Sequence, residues 1–423
     1  MSMDRYRNSI DWLVKAEHLI PTGSQTFSKS HYSVPKGAAP LFIERGAGSR
    51  VWDIDNNEYI DLVNGLLSVS LGYCHPQVDQ AITEQLKKGI SFSLPHRLEA
   101  QLAERLIDLI PCAEQVRFGK NGTDATSAGV RIARAATGRE RVAVCGYHGW
   151  QDWYIGSTSR HQGVPENVRS LTHTFTFNDL SSLEALFDQY PGEFALVVME
   201  QMNVAYPEPG FLQGIRDLCD RHGVVLMFDE IITGFRFHLG GAQSLFGVTP
   251  DLASFGKGLG NGMPISAIVG KRSLMMEMEN VFFSGTFGGE TLSLAASLAV
   301  VEVMENQQVP DQLSKRGDQL TDAVMQAAQQ TGADDWFSLA GHPSWKLWQI
   351  DQSGMIHKSV LIQLLAERGV LTIGSHNLSA SLTESDIDYL AEQYHQAFGL
   401  IQSVGDPLEL LQGEQLKPVF KVR

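Results

Sequence analysis

Between residues 115 and 230 short, strand-sized runs of apolar residues alternate with stretches of helical periodicity. QVRFGKNG leads into TDATSAGVRIARAATG, and ERVAVCGYHG follows. Further on, FALVVMEQ precedes FLQGIRDLCDRHG, and VVLMFDEI comes next. Strands that are apolar on both faces need cover on both faces, and amphipathic helices between them supply it. The alternation therefore predicts an α/β fold with a mostly parallel central sheet and helices on both sides.

The flanking regions have a different character. Residues 41–63 alternate apolar and polar residues around glycines and Asn56-Asn57, which predicts a β-meander. HRLEAQLAERLIDLI has helical periodicity and stops at Pro111. After about residue 300, long helical stretches (VPDQLSKRGDQLTDAVMQAAQQTG, KSVLIQLLAERG) flank the short strand candidates KLWQI and VLTIG. A chain of 423 residues exceeds the usual domain of about 150. The expected division is an N-terminal segment and meander over 1–65, a large domain over 66–300, and a smaller α+β domain over 301–423, with the meander packing against the smaller domain. The tail GEQLKPVFKVR carries no clear element pattern.

Charge and composition exclude several function classes. A net charge of −15 leaves no basic footprint for nucleic acid and disfavours an anionic membrane surface. No apolar run approaches the roughly 20 residues of a membrane span, and the N-terminal residues lack the apolar core of a secretory signal. Cys74, Cys112, Cys145 and Cys219 are far apart without metal-ligand spacing, which fits free thiols in a reducing compartment. A cytoplasmic protein with no bound metal is the expectation.

Four places carry residues suited to chemistry. In SFGKGLGNGMPI, Lys257 stands among Gly256, Gly258, Gly260 and Gly262. Such a lysine can be a phosphate clamp, an imine-forming nucleophile or a solvated loop residue. The phosphate-loop pattern fails because Asp251 and Gly258 stand where Gly and Ser or Thr are required. VVLMFDEI ends at Asp229 and Glu230, at the strand end where open α/β sheets bind ligands. Either carboxylate can cap a helix, and an Asp there can instead hold a pyridine nitrogen protonated. Gly122-Thr123 opens a helix directly after a strand, as an anion site or as an ordinary helix start. Tyr147 and His148 follow another strand, where an aromatic can stack on a flat heterocycle or simply fill a core.

In this order the elements resemble the class III aminotransferases of the pyridoxal-phosphate (PLP) fold-type I, most closely their glutamate-1-semialdehyde aminomutase branch. The resemblance rests on PLFIERGAGSRVWDIDNNEYIDLVNG, LGYCHP, RFGKNGTDATSAGVRIARAATGRERV and FDEIITGFRFHLGGAQSLFGVTPDLASFGKGLGNGMPISAIVGKR, and covers nearly the whole chain. It implies that the large domain binds PLP. Lys257 then forms the Schiff base and shuttles a proton, and Asp229 pairs with the pyridinium nitrogen. Gly122 and Thr123 hold the phosphate. Tyr147 and Ile231 cover the two ring faces, with His148 nearby and Glu200 on the ring-oxygen side. Thr286 reaches the phosphate of a neighbouring subunit, which makes a homodimer with shared active sites.

Departures from the branch cluster where substrate is expected. Asn-Ser-Gly-Thr-Glu-Ala reads Lys120-Asn121-Gly122-Thr123-Asp124-Ala125, and Gly-Ser-Trp reads Asn64-Gly65-Leu66-Leu67 within its segment. Glu-Pro-Val reads Glu200-Gln201-Met202, and His376 lies where the branch has an acidic gate residue. The expectation is an intermolecular aminotransferase with ping-pong kinetics, taking a small amino donor and a keto-sugar, aldehyde or ω-keto-acid acceptor. The alternatives are the aminomutase reaction, a PLP-binding protein without catalysis, and a PLP decarboxylase or racemase. Arg97, Arg236 and Lys346 are candidate partners for a substrate carboxylate.

Overall fold

The computed structural model describes residues 5–350 and 354–417, so the end of the tail lies outside the described residues. The chain divides into two compact units. One is built from the stretches up to His75 and from Asp311 onward, the other from Pro76–Pro310.

In the first unit, β1 (Ile43–Ala47), β2 (Arg50–Asp53) and β3 (Glu58–Asp61) form the antiparallel meander. Asn56 takes a φ of 64° in the turn between β2 and β3, a conformation asparagine tolerates better than most residues.

The second unit carries a seven-stranded sheet of β4 (Gln115–Gly119), β5 (Arg141–Cys145), β6 (Thr172–Thr174), β7 (Phe194–Met199), β8 (Val225–Asp229), β9 (Leu252–Phe255) and β10 (Ser266–Gly270). The spatial order is β4-β10-β9-β8-β7-β5-β6, and only β10 runs antiparallel to its neighbours.

The period of two along each strand sorts the side chains into two cores. Val142, Val144, Leu196, Val198, Val225 and Met227 face one core with Ala125, Ala128 and Ile132 of helix α1 (Gly122–Thr137). Ala143, Val197, Met199, Leu226 and Phe228 face the other, with Phe211, Ile215 and Leu218 of helix α2 (Phe211–His222). Each of these larger aliphatic or aromatic side chains contributes about 1.5–3 kcal/mol on burial. The same parity places Asp229 on the α1 side, at the carboxyl edge of the sheet.

Returning to the first unit, β11 (Phe337–His342), β12 (Trp345–Ile350) and β14 (Ser375–Asn377) form an antiparallel three-stranded sheet. The two-residue strand β13 (Val370–Leu371) extends the meander by pairing in parallel with β3.

One local feature has no counterpart in the sequence pattern. Asn64, Gly65, Leu66 and Leu67 all have φ between 47° and 71°, a single left-handed turn. For residues other than glycine this costs roughly 1–2 kcal/mol each. Asp61 Oδ1 holds the turn by accepting from the Val63 and Asn64 backbone N–H groups at 2.7 and 3.1 Å. Asn377 donates to the Val63 carbonyl at 2.8 Å, and Asn64 donates to the Asn377 carbonyl. Among the described residues no helix is long and apolar enough to cross a membrane.

Candidate active site

Five strands of one direction end at the same edge of the large sheet, and each delivers a candidate residue there. Gly122 and Thr123 follow β4, Tyr147 and His148 follow β5, and Glu200 follows β7. Asp229 closes β8, and Lys257 follows β9. That edge is where an open α/β sheet leaves room for ligand.

Asp229 is buried, and both its oxygens are engaged. Oδ2 lies 2.8 Å from His148 Nδ1, while Oδ1 accepts from Ser254 Oγ at 3.0 Å and from the Ile231 N–H at 3.2 Å. The second ring nitrogen of His148 lies 3.2 Å from the Cys145 carbonyl. Thr126 of α1 donates to the His148 carbonyl at 3.0 Å. The position of Asp229 is therefore set by residues from β5, β8 and β9.

Glu200 accepts from the Tyr147 N–H at 3.0 Å and from Asn203 Nδ2 at 3.1 Å. Burial raises its carboxyl above the ordinary glutamate range, and the neighbouring Asp229 charge adds to that. Tyr147 itself is half exposed, with its ring edge-on to Tyr154 at 5.6 Å.

Lys257 has a φ of 41°, an uncommon conformation for a residue with a Cβ. Burial holds its amine below the ordinary lysine range. Glu200 and Asp229 oppose that shift, and the Arg236 guanidinium reinforces it. Arg236 is itself 1% exposed, and burial pushes it down to about 9.

Ile231 fills the space between two loops. A Cβ built on Gly122 would stand 3.0 Å from Ile231 Cδ1, and one on Gly256 would stand 3.1 Å from the same atom. Both positions need the close approach that glycine permits. Thr123 is buried at the head of the 16-residue helix α1, and its Oγ1 has no hydrogen-bond partner among the described residues.

Eight of the nine candidates thus form one connected group: Lys257, Asp229, His148, Glu200, Tyr147, Ile231, Gly122 and Thr123. Thr286 stands apart, exposed on the loop before helix α3 (Thr291–Asn306), where it borders a cleft of about 650 Å³ with Ser91, His96 and Arg117. Of the carboxylate-binding candidates, Arg236 is electrostatically coupled to Lys257, whereas Arg97 is exposed at the start of its helix. Lys346 and His376 belong to the first unit. His376 is a core residue there, hydrogen-bonded to the Tyr394 hydroxyl at 2.7 Å and to Trp348 Nε1 at 3.3 Å.

Sequence reasoning missed Ser254 and Asn203. Ser254 looks like an ordinary small residue in a buried strand, and Asn203 like loop polarity. Only the fold shows which carboxylate each one serves.

Comparison with known proteins agrees with this geometry. Residues 31–400 match the family model for class-III aminotransferases. The chain is 32% identical over 408 residues to the 3-aminobutyryl-CoA aminotransferase of Cloacimonas acidaminovorans, covering 94% of this chain and 98% of that one. It is 37% identical over 352 residues to the glutamate-1-semialdehyde 2,1-aminomutase of Desulforamulus reducens, covering 79% and 81%.

Among solved structures, the FumI protein of Sphingopyxis sp. MTA144 in its PLP internal aldimine form superposes with a TM-score of 0.90 at 25% identity, covering 97% and 99%. An ω-transaminase from Sphaerobacter thermophilus gives 0.85 at 26%, covering 96% and 98%. The α/β architecture with its mostly parallel sheet is the one these enzymes share. Matched over residues 31–400, and 32% identical over 408 residues to the 3-aminobutyryl-CoA aminotransferase, the chain belongs to the class-III aminotransferase family.

Proposed function

We propose that the chain is a PLP-dependent aminotransferase that moves an amino group from a small donor to a separate keto or aldehyde acceptor by a ping-pong mechanism. The observation that carries the cofactor assignment is Thr123 Oγ1. It is a buried hydroxyl with no partner among the described residues, at the start of a long helix whose first N–H groups are also donors. A phosphate satisfies both.

Gly122 and Thr123 would hold the phosphate, Asp229 the ring nitrogen and Lys257 the aldehyde carbon, while Tyr147 and Ile231 would cover the two ring faces. Bound PLP supplies an electrophilic carbon for amines and a ring that stores the electron pair left at a deprotonated carbon. Asp229, pinned at both oxygens, would present its carboxyl group to the ring nitrogen. Lys257 Nζ, whose neutral form burial favours, takes the proton from the substrate carbon and returns it. Asn203 and the Tyr147 N–H hold the Glu200 carboxyl in place, which would lie on the ring-oxygen side. Thr286, exposed on its loop, would complete the phosphate site of a second subunit, so the active form is a homodimer.

The 3-aminobutyryl-CoA aminotransferase and the ω-transaminase among the similar proteins support a donor whose amino group is not on the carbon next to a carboxylate. A second reading, intramolecular transfer, is favoured by the 37% identity to an aminomutase. Spectroscopic titration separates the two. The cofactor absorbance of the purified protein is expected to bleach with ω- or β-amino donors and to return only on adding a keto or aldehyde acceptor. Conversion of glutamate-1-semialdehyde to 5-aminolevulinate without acceptor would establish the second reading instead. An unaltered absorbance band and undiminished turnover in Lys257→Ala would overturn both.

A further inference from the structure

We propose that Lys120 is a positioning residue whose ammonium ties together the three loops that carry Gly122–Thr123, Lys257 and Thr286; the inference rests on the cofactor reading above. Lys120 leaves β4 two residues before Gly122. Its Nζ lies 3.5 Å from Glu290 Oε2 and 3.3 Å from Ser293 Oγ, with the two charged side chains 18% and 12% exposed.

Each partner leads to a different loop. Glu290 closes the loop that holds Thr286 and caps α3, its Oε1 accepting from the Ser293 N–H at 2.8 Å. Within that loop the Gly288 N–H donates to the Gly285 carbonyl at 3.0 Å, and the Glu290 N–H to the Phe287 carbonyl at 3.2 Å. Ser293 Oγ donates to the Pro264 carbonyl at 3.1 Å, at the end of the segment that begins with Lys257.

Lys120 is also anchored at its own backbone. Its N–H and that of Asn121 both donate to Asp124 Oδ2, at 2.9 and 2.8 Å, on the first turn of α1. One side chain therefore connects the helix start, the lysine loop and the Thr286 loop.

The residue type matters physically. Glu290 is mostly buried, and a neutral side chain at position 120 would leave its charge without a counter-ion. Ser293 has one hydroxyl proton, which it gives to Pro264, so it can only accept from a donor at 120. An ammonium meets both demands with one group.

The test uses the full chain stripped of cofactor, with variants Lys120→Met, Lys120→Arg, Glu290→Gln and the Lys120→Met/Glu290→Gln double. Backbone amide exchange reads the tie directly. Exchange is expected to quicken in residues 258–264 and 284–290 of Lys120→Met and to stay unchanged in β7 and β8. PLP affinity, read by fluorescence quenching, is expected to fall about tenfold in Lys120→Met, stay within about threefold in Lys120→Arg, and fall no further in the double variant than in the worse single one.

Unchanged exchange in both loops overturns the inference, as do losses in the two single variants that simply add. Uptake of PLP by wild type with no loss in Lys120→Met overturns this inference alone, whereas a wild type that takes up no PLP overturns the cofactor reading with it.

Discussion

His148 Nδ1 and Asp229 Oδ2 stand 2.8 Å apart, with neither side chain more than 5% exposed. The contact joins the loop after β5 to the end of β8, two strands separated in the sheet by β7. Ser254 on β9 holds the other carboxylate oxygen. A carboxylate gripped from both sides cannot rotate away, so its charge points in one direction before any ligand arrives. Preorganised charge of this kind is where active sites gain most.

Removing either member should separate folding from function. His148→Phe removes one of the three hydrogen-bond partners of the buried Asp229 carboxylate, a loss of about 1–3 kcal/mol. Calorimetry of the cofactor-free protein should show it as a lower melting temperature. Asp229→Asn keeps the shape and removes the charge, so turnover with any amino donor should fall at least about 100-fold. Turnover within a factor of two of wild type in Asp229→Asn would remove that residue from the mechanism.

The amine of Lys257 should titrate below an ordinary lysine because burial disfavours its charged form. The neutral amine is the reactive one, so the rate of PLP attachment should rise with pH and level off at a lower pH than a free lysine would require. Glu200 and Asp229 stabilise the ammonium, so Glu200→Gln should move the inflection further down. Arg236 acts in the opposite sense, so Arg236→Met should move it up. Stopped-flow absorbance against pH reads all three shifts, and an inflection unmoved by both substitutions would contradict the assignment.

Thr123→Val should affect the two states of the protein oppositely. The valine fills the same volume and removes a buried hydroxyl that has no partner among the described residues, so the cofactor-free protein should gain about 1 kcal/mol. The same change deletes a phosphate donor, and PLP should bind roughly tenfold more weakly. Melting curves with and without PLP test both signs in one experiment.

His376 predicts acid sensitivity in the first unit. Burial pushes its imidazole down to about 3, with the nearby Lys346 charge adding to that. The unfolded chain takes up the proton near the ordinary value of about 6.5. Between those values the unfolded state binds more protons than the folded one, so stability falls as pH is lowered through that window. His376→Gln should flatten the decline of melting temperature between pH 7 and 4, and an unchanged slope would show that other groups dominate.

Much of the architecture was legible because it is written in periodicity. Apolar runs of five or six residues between amphipathic helices permit little besides a covered parallel sheet, and the meander announced itself by alternation. Asp229 was legible for the same reason, at the end of the apolar run VVLMFD, whereas Lys257 read only as a lysine among glycines, and it and Glu200 took their places in the site from the family resemblance. The turn at Asn64–Leu67 was not legible, since nothing in Asn-Gly-Leu-Leu favours four positive φ values. The neighbouring Asp61 holds its start, and Asn377, distant in sequence, closes the clamp.

Sequence by itself determined a covered, mostly parallel sheet and an aspartate at the end of one of its strands, because periodicity and connection rules are local, while the role of Lys257 came from the family resemblance. Tertiary structure alone decided that His148 and Ser254 share Asp229, that Ile231 wedges between Gly122 and Gly256, and that Lys120 meets Glu290 across 170 residues. Hydrogen bonds and close contacts act over a few ångströms in space. Which residues come within that range depends on how the strands are ordered in the sheet.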